Sequence, residues 1–191
     1  MKTRTLLPLL LLLCCACSSQ AQNPANSNAP AAHTNAPQEA RKEAPASRGD
    51  AAATVKGKKI SINYGRPSLK GRDLLAQAPV GTVWRVGANQ ATEITTEGDL
   101  LIGDKELKAG KYSLWVRRTG EDAWTLAFHP KTGVWGAPPL KEGYAAELPL
   151  KLEKASDSLD LLTIHLADED GQGEVKIHWG TALMSGKFGV K

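Results

Sequence analysis

The stretch WRVGANQAT, Trp84 to Thr92, puts an aromatic ring, a guanidinium, a glycine and a carboxamide into one short segment. Arg85 is a planar, permanently charged fork that suits carboxylate or phosphate. Asn89 offers both donor and acceptor and tolerates a left-handed backbone. Gly87 permits a positive φ or a close backbone approach. Two more arginines, Arg66 before Pro67 and Arg72 after Gly71, sit in loop-like stretches at strand ends, where binding residues concentrate. If these loops converge, they form a cationic pocket walled by Tyr64 and Trp84, suited to an anionic or sugar-like ligand. The competing role is bracing. An arginine beside a tryptophan can stack on it while its fork satisfies loop carbonyls, and an asparagine in a turn commonly holds its own backbone. Trp135, in the Gly/Pro-rich run TGVWGAPP, is placed to cover a pocket or to stack on a sugar.

Other chemistries find little footing. His129, His165 and His178 lie on strand-like runs opposite the apolar set, as solvated or half-buried positions. They show no paired spacing with one another or with carboxylates, so no metal site is expected. Asp168, Glu169 and Asp170 lack the pattern of a calcium loop and read as a charged hairpin tip. Neither a G-x-S-x-G or S-x-x-K nucleophile motif nor a phosphate loop occurs. Ser113, in KYSLW, has no base in view. No cofactor is expected, and the lack of a visible general base favours binding over catalysis.

The elements that must position these residues are strands. Period-two alternation places Ile60, Ile62 and Tyr64 on one face, and likewise Tyr112, Leu114 and Val116. The same pattern recurs in WTLAFH, ELPLKLEK, LLTIHL and EVKIHWG. Shorter candidates are Ala53 to Val55, Thr82 to Val86, Glu93 to Thr96 and Leu100 to Ile102. Turn signals at Gly103 to Lys105, Thr119 to Asp122 and Asp170 to Gly173 read as hairpins. At most, Leu69 to Gln77 or Ala88 to Thr92 hold a helical turn. Many short strands at close spacing predict an all-β fold, an antiparallel β-sandwich, with a closed antiparallel β-barrel as the alternative. Pro149 places its strand at an edge or a bulge.

The amino-terminal end supplies an address. Lys2 and Arg4 precede the apolar run Leu6 to Leu13, which is too short to span a bilayer but has the size of a signal-peptide core. Cys14, Cys15 and Cys17 follow directly, and they are the chain's three cysteines. The arrangement is similar to a bacterial lipobox, with residues 1–16 removed and Cys17, preceded by the small Ala16, carrying the lipid. Cys14 stands where a leucine is usual, and an ordinary secretory cleavage near Ala21 is the competing reading. With Cys17 lipidated, the exported domain has no internal disulfide. Ser18 after the cysteine favours the outer membrane, by likeness to lipoproteins of Gram-negative bacteria.

Residues 18–51 contain no Leu, Ile, Val, Met or aromatic residue, so residues 17–51 read as a lipid-anchored disordered tether. One domain, 52–191, follows. Loss of Lys2 and Arg4 lowers the formal charge from +4 to +2. That balance, with the export signal, argues against nucleic acid as a partner.

NYGRP (Asn63 to Pro67), KGR (Lys70 to Arg72), VWRVGANQAT (Val83 to Thr92), AGKYSLW (Ala109 to Trp115) and WTLAFH (Trp124 to His129) stand in this order along the chain. In their order and spacing the chain resembles the bacterial domain-of-unknown-function family 2911 over nearly the whole domain. The resemblance implies an exported domain and no assigned activity. Family members often carry Glu where this chain has Gln90, which puts carboxylate chemistry at that position in doubt. The expectation is therefore a lipid-anchored envelope protein that binds a glycan or a protein partner. Its alternatives are an enzyme for a small anionic or sugar-derived substrate, with Arg85, Arg66 and Asn89 as electrostatic stabilisers, and a purely structural envelope module.

Overall fold

The computed structural model describes residues 47–191 other than 73, 74 and 76. The run read as a signal segment, Cys17 and almost all of the run read as a tether lie outside the described residues, as does part of Leu69 to Gln77. The described chain is all-β. Its strands are β1 (Arg48–Val55), β2 (Lys58–Gly65), β3 (Val83–Trp84), β4 (Thr92–Thr96) and β5 (Leu100–Ile102). They continue as β6 (Lys105–Leu107), β7 (Gly110–Arg118), β8 (Trp124–His129), β9 (Ala146–Glu169) and β10 (Gln172–Val190). β1 begins inside the run read as tether. Asp50, Ala51, Ala52 and Ala53 have little apolar surface, but they pair in register with Asn63, Ile62, Ser61 and Ile60. Cross-strand pairing thus orders a segment whose own composition does not.

All pairings are antiparallel, and the strands follow the path β1-β2-β4-β7-β8-β9-β10-β5-β6, with β3 alongside β7. The sheet folds over as a sandwich, and one core draws buried residues from nearly every strand, including Ile62, Ile94, Leu114, Phe128, Leu162 and Ile177. The barrel alternative does not hold, because the path ends at β1 and β6 without joining. The closing edge of β9 is occupied otherwise. The Leu162 N–H donates to the Pro67 carbonyl at 3.1 Å, and the Ile164 N–H donates to the Tyr64 hydroxyl at 3.0 Å.

The two runs ELPLKLEK and LLTIHL, expected as separate strands, are parts of one 24-residue strand, β9. Its first part pairs with β8 and its later part with β10. Pro149 fits the edge expectation locally. It pairs in register with Thr125 of β8 and has no ladder partner on its other side. The ladder to β10 begins only at Lys151↔Ser185, so the residue without an N–H sits where β9 passes from one partner to the other. His178 is a correction. It is 8% exposed, although alternation put it with the solvated set. β10 shifts register between His178 and Gly180, and there the period-two pattern fails, so that His178 and Trp179 are both buried.

The expected hairpins form at Gly103 to Lys105 and Asp170 to Gly173. At the second, Asp170 (φ 55°) and Gly171 (φ 78°) both adopt the left-handed region, as a two-residue hairpin of this hand requires.

Candidate functional site

WRVGANQAT is a strand end followed by a tight, strained turn. Val83 and Trp84 pair with Arg117 and Val116. The chain then reverses. Val86 (φ 54°) and Asn89 (φ 65°) are both left-handed. A β-branched residue rarely adopts that conformation, and Val86 does so with its side chain fully buried. Thr92 secures the turn, since its hydroxyl donates to the Val86 carbonyl at 2.8 Å. Its N–H donates to the Arg85 carbonyl at 3.3 Å. The turn packs backbone to backbone on NYGRP. A methyl group on Gly65 would lie 2.3 Å from the Ala88 carbonyl oxygen, so only glycine fits at 65.

The three arginines do not converge. The Arg85 Nε donates to the Gly87 carbonyl at 3.2 Å, and its stem lies against Gly136, where a methyl group would come within 1.8 Å of the Arg85 Cδ. Arg66 donates instead to β9, from Nε to the Leu162 carbonyl (3.2 Å) and from Nη2 to the Thr163 hydroxyl (3.3 Å). With Tyr64 it lines a cavity of about 360 Å³ between β1 and β9. Arg72 donates to the Leu69 carbonyl and borders a different cavity, of about 280 Å³, beside Trp179. Trp84 walls no cationic pocket. It stacks on Trp179 with centroids 5.4 Å apart and ring planes 12° from parallel, a packing contact between β3 and β10. Each expected site residue therefore has a place, but the single pocket does not form, because the loops that carry them brace different parts of the sheet.

What the turn does hold is the TGVWGAPP loop. The Ala91 N–H donates to the Val134 carbonyl and the Gly136 N–H to the Asn89 carbonyl, both at 3.1 Å. Gln90 and Trp135 form a β-bridge between these contacts. The segment 130–145 thus lies as a strap over the outer face of β7 and β8. Beneath it, Trp115 and Ala127 are wholly buried and packed with Val134, Leu140 and Tyr144. Polar contacts that the sequence did not reveal fix its ends. The Ser113 hydroxyl donates to the Lys131 carbonyl at 2.8 Å and accepts from the Trp115 indole N–H at 2.9 Å, which leaves Ser113 a buried strap anchor. The Gly133 N–H donates to Glu93 at 2.6 Å, and Lys111 pairs with the same carboxylate at 2.6 Å. Burial pushes the Glu93 carboxyl up, but the Lys111 and Gly133 hydrogen bonds and the charges of Lys111 and Arg48 outweigh it, so the pKa lies below the ordinary glutamate value. Farther along the strap, the Tyr144 hydroxyl donates to the Leu140 carbonyl, and the Arg117 guanidinium lies 4.9 Å from the ring centroid. Arg117 in turn grips Glu147 through both carboxylate oxygens at 2.6 Å.

Between these anchors the Trp135 side chain faces outward, 59% exposed. Its backbone neighbours Val134 and Gly136 are both hydrogen-bonded to the turn. The half-buried Asn89 carboxamide beside it makes no hydrogen bond to the described residues, and the neighbouring Gln90 side chain is exposed. The arrangement presents a flat ring with free amide groups nearby on a pinned backbone. Such a surface can stack on the apolar face of a sugar or cap a protein contact. It carries no nucleophile and no base.

The sequence pattern of a family described as protein of unknown function (DUF2911) matches residues 46–188. The chain belongs to this family. The match opens just before β1 and closes within β10, so the braced turn, the strap and the cavity between β1 and β9 all fall inside the family's domain. Neither the search of curated proteins nor the search of solved structures gave a match.

Proposed function

We propose that this chain is a lipid-anchored envelope protein whose β-sandwich is a non-enzymatic binding module, with Trp135 as its stacking surface for an envelope glycan. The address rests on the signal-like segment ending at Cys17, with the outer membrane as its expected destination. The binding role rests on one observation above all: a large aromatic ring exposed on a loop whose backbone is pinned at Val134 and Gly136. Holding the ring's backbone in place reduces the ordering cost of binding. The free carboxamides of Asn89 and Gln90 add the polar contacts that sugar hydroxyls need. An enzymatic reading needs Arg66, Arg85 and Asn89 around one substrate, but Arg66 is spent on β9 while Arg85 and Asn89 belong to the turn under the strap.

The test is co-sedimentation of the full chain with insoluble cell-wall glycan. Wild type should be retained. Trp135→Ala should lower the affinity about tenfold or more, the scale of losing one aromatic anchor. Retention of the variant equal to wild type, or no retention of wild type, would remove the glycan reading.

A further inference from the structure

Away from the strap, the cavity between β1 and β9 is an unclosed seam in the sheet. Its floor is the Tyr64 hydroxyl on the Ile164 N–H. One end is shut where the chain after β2 bonds to β9, with the Leu162 N–H on the Pro67 carbonyl and the Leu69 N–H on the Asp160 carbonyl. Both flanks are strand edges. The Arg66 N–H donates to the Ser47 carbonyl, so odd-numbered residues of β1 turn their backbone groups toward β2. By period-two alternation the groups of Asp50 and Ala52 turn toward the seam. On β9, Ile164 points its N–H away from β10, and the N–H and C=O of Leu166 follow the same direction. The seam therefore offers main-chain donors and acceptors from two sides.

At its closed end stands a half-buried guanidinium. Arg66 spends Nε and one Nη2 hydrogen on β9, and it has no carboxylate partner among the described residues. A cation placed this way gains from an incoming carboxylate. The Asp50 carboxylate, held by the Asn63 amide at 2.7 Å, lines the same cavity. It disfavours a ligand with several negative charges.

We propose that the seam binds the carboxyl-terminal end of a short extended peptide lying over it, with the terminal carboxylate on Arg66 and the peptide's main chain on the outward groups of β1 and of Leu166, since Ile164 and Leu162 already spend their N–H groups on Tyr64 and Pro67. The cavity, about 360 Å³, has room for two or three small residues. Backbone pairing with an open strand edge and capture of a free terminus are recurrent modes of peptide recognition. This site is independent of the glycan reading at Trp135.

The experiment titrates the full chain with trialanine and with trialanine carboxamide, following the backbone amide resonances of Ala52 and Leu166. Trialanine should shift both, and the carboxamide, lacking the charge, should bind about tenfold or more weakly. Arg66→Gln should remove the preference. Because Arg66 also ties β2 to β9, the carboxamide comparison tests the same contact without altering the protein. Equal binding of the two peptides, or no shift with trialanine at millimolar concentration, would overturn the proposal. A free peptide and a protein tail share this chemistry. Trialanine fused to the end of a carrier protein separates them: binding comparable to that of free trialanine admits both, and loss on the carrier restricts the site to free peptides. Either result supports the terminal carboxylate as the recognised group.

Discussion

Tyr64 ties β2 to β9 through one oxygen. Its ring is 3% exposed, and its hydroxyl accepts the Ile164 N–H at 3.0 Å. Tyr64→Phe should leave the ring packed and orphan that buried donor, at a cost of about 1–3 kcal/mol. Denaturant unfolding of the two proteins measures it, and a change within error would mean that water replaces the hydroxyl. Asn89 illustrates how one residue answers two demands. Its backbone takes the left-handed turn at φ 65° and its carbonyl holds Gly136, yet its side chain is left free. Arg85 is the reverse. Its guanidinium serves its own turn through the Gly87 carbonyl, and its stem supports the strap at Gly136.

At the scale of elements, the strap depends on a titratable anchor. Glu93 receives the Gly133 N–H, and its pKa is lowered despite the opposing effect of burial, chiefly by Lys111 and that N–H. A carboxyl with a lowered folded pKa adds stability that is complete above its ordinary value. That contribution is lost as the pH falls through the lower folded value. The strap should therefore stay pinned at neutral pH and loosen in acid, across the window between those two values. Amide exchange at Gly133 should accelerate there relative to the core of β7, and Glu93→Gln should flatten the pH dependence. Exchange at Gly133 that follows the same pH course as the core would contradict this local account. The braced turn makes a similar point about conformation. Val86 is held left-handed by Thr92 and by burial, and such strain persists only where the surroundings over-determine it.

At the scale of the whole molecule, the strands were legible because alternation is local. KKISINYG and WTLAFH name their own buried faces, and hairpin signals such as Asp170-Gly171 fix their neighbours. The sandwich followed from the number and spacing of such strands. Partnership between distant segments was not legible. Nothing local says that Pro149 lies at a change of partner within one long strand, or that Asp50 to Ala53 are ordered by pairing with β2. The site divided in the same way. The residues of WRVGANQAT were identifiable by type, and Trp135 stood out by its Gly/Pro surroundings. That the first is the support of the second depends on backbone bonds across some 45 residues of chain, and no residue type encodes those. Glu93 and Arg117 passed unnoticed for the same reason, and Ser113 was weighed only as a nucleophile, since each looks like an ordinary strand residue until the strap is laid over it. The central claim is a division of labour in which Arg85 braces and Trp135 is displayed. The measurement that tests it most directly is a thermal melt of the full chain beside Arg85→Ala and Trp135→Ala. Loss of the Arg85 hydrogen bond and stem packing should cost about 1–3 kcal/mol and lower the Tm by several degrees. Trp135→Ala should melt within about 1 °C of wild type, because a ring held out to solvent contributes little to folding. The reverse order, with Arg85→Ala unchanged and Trp135→Ala strongly destabilised, would make Trp135 the structural residue and contradict the account.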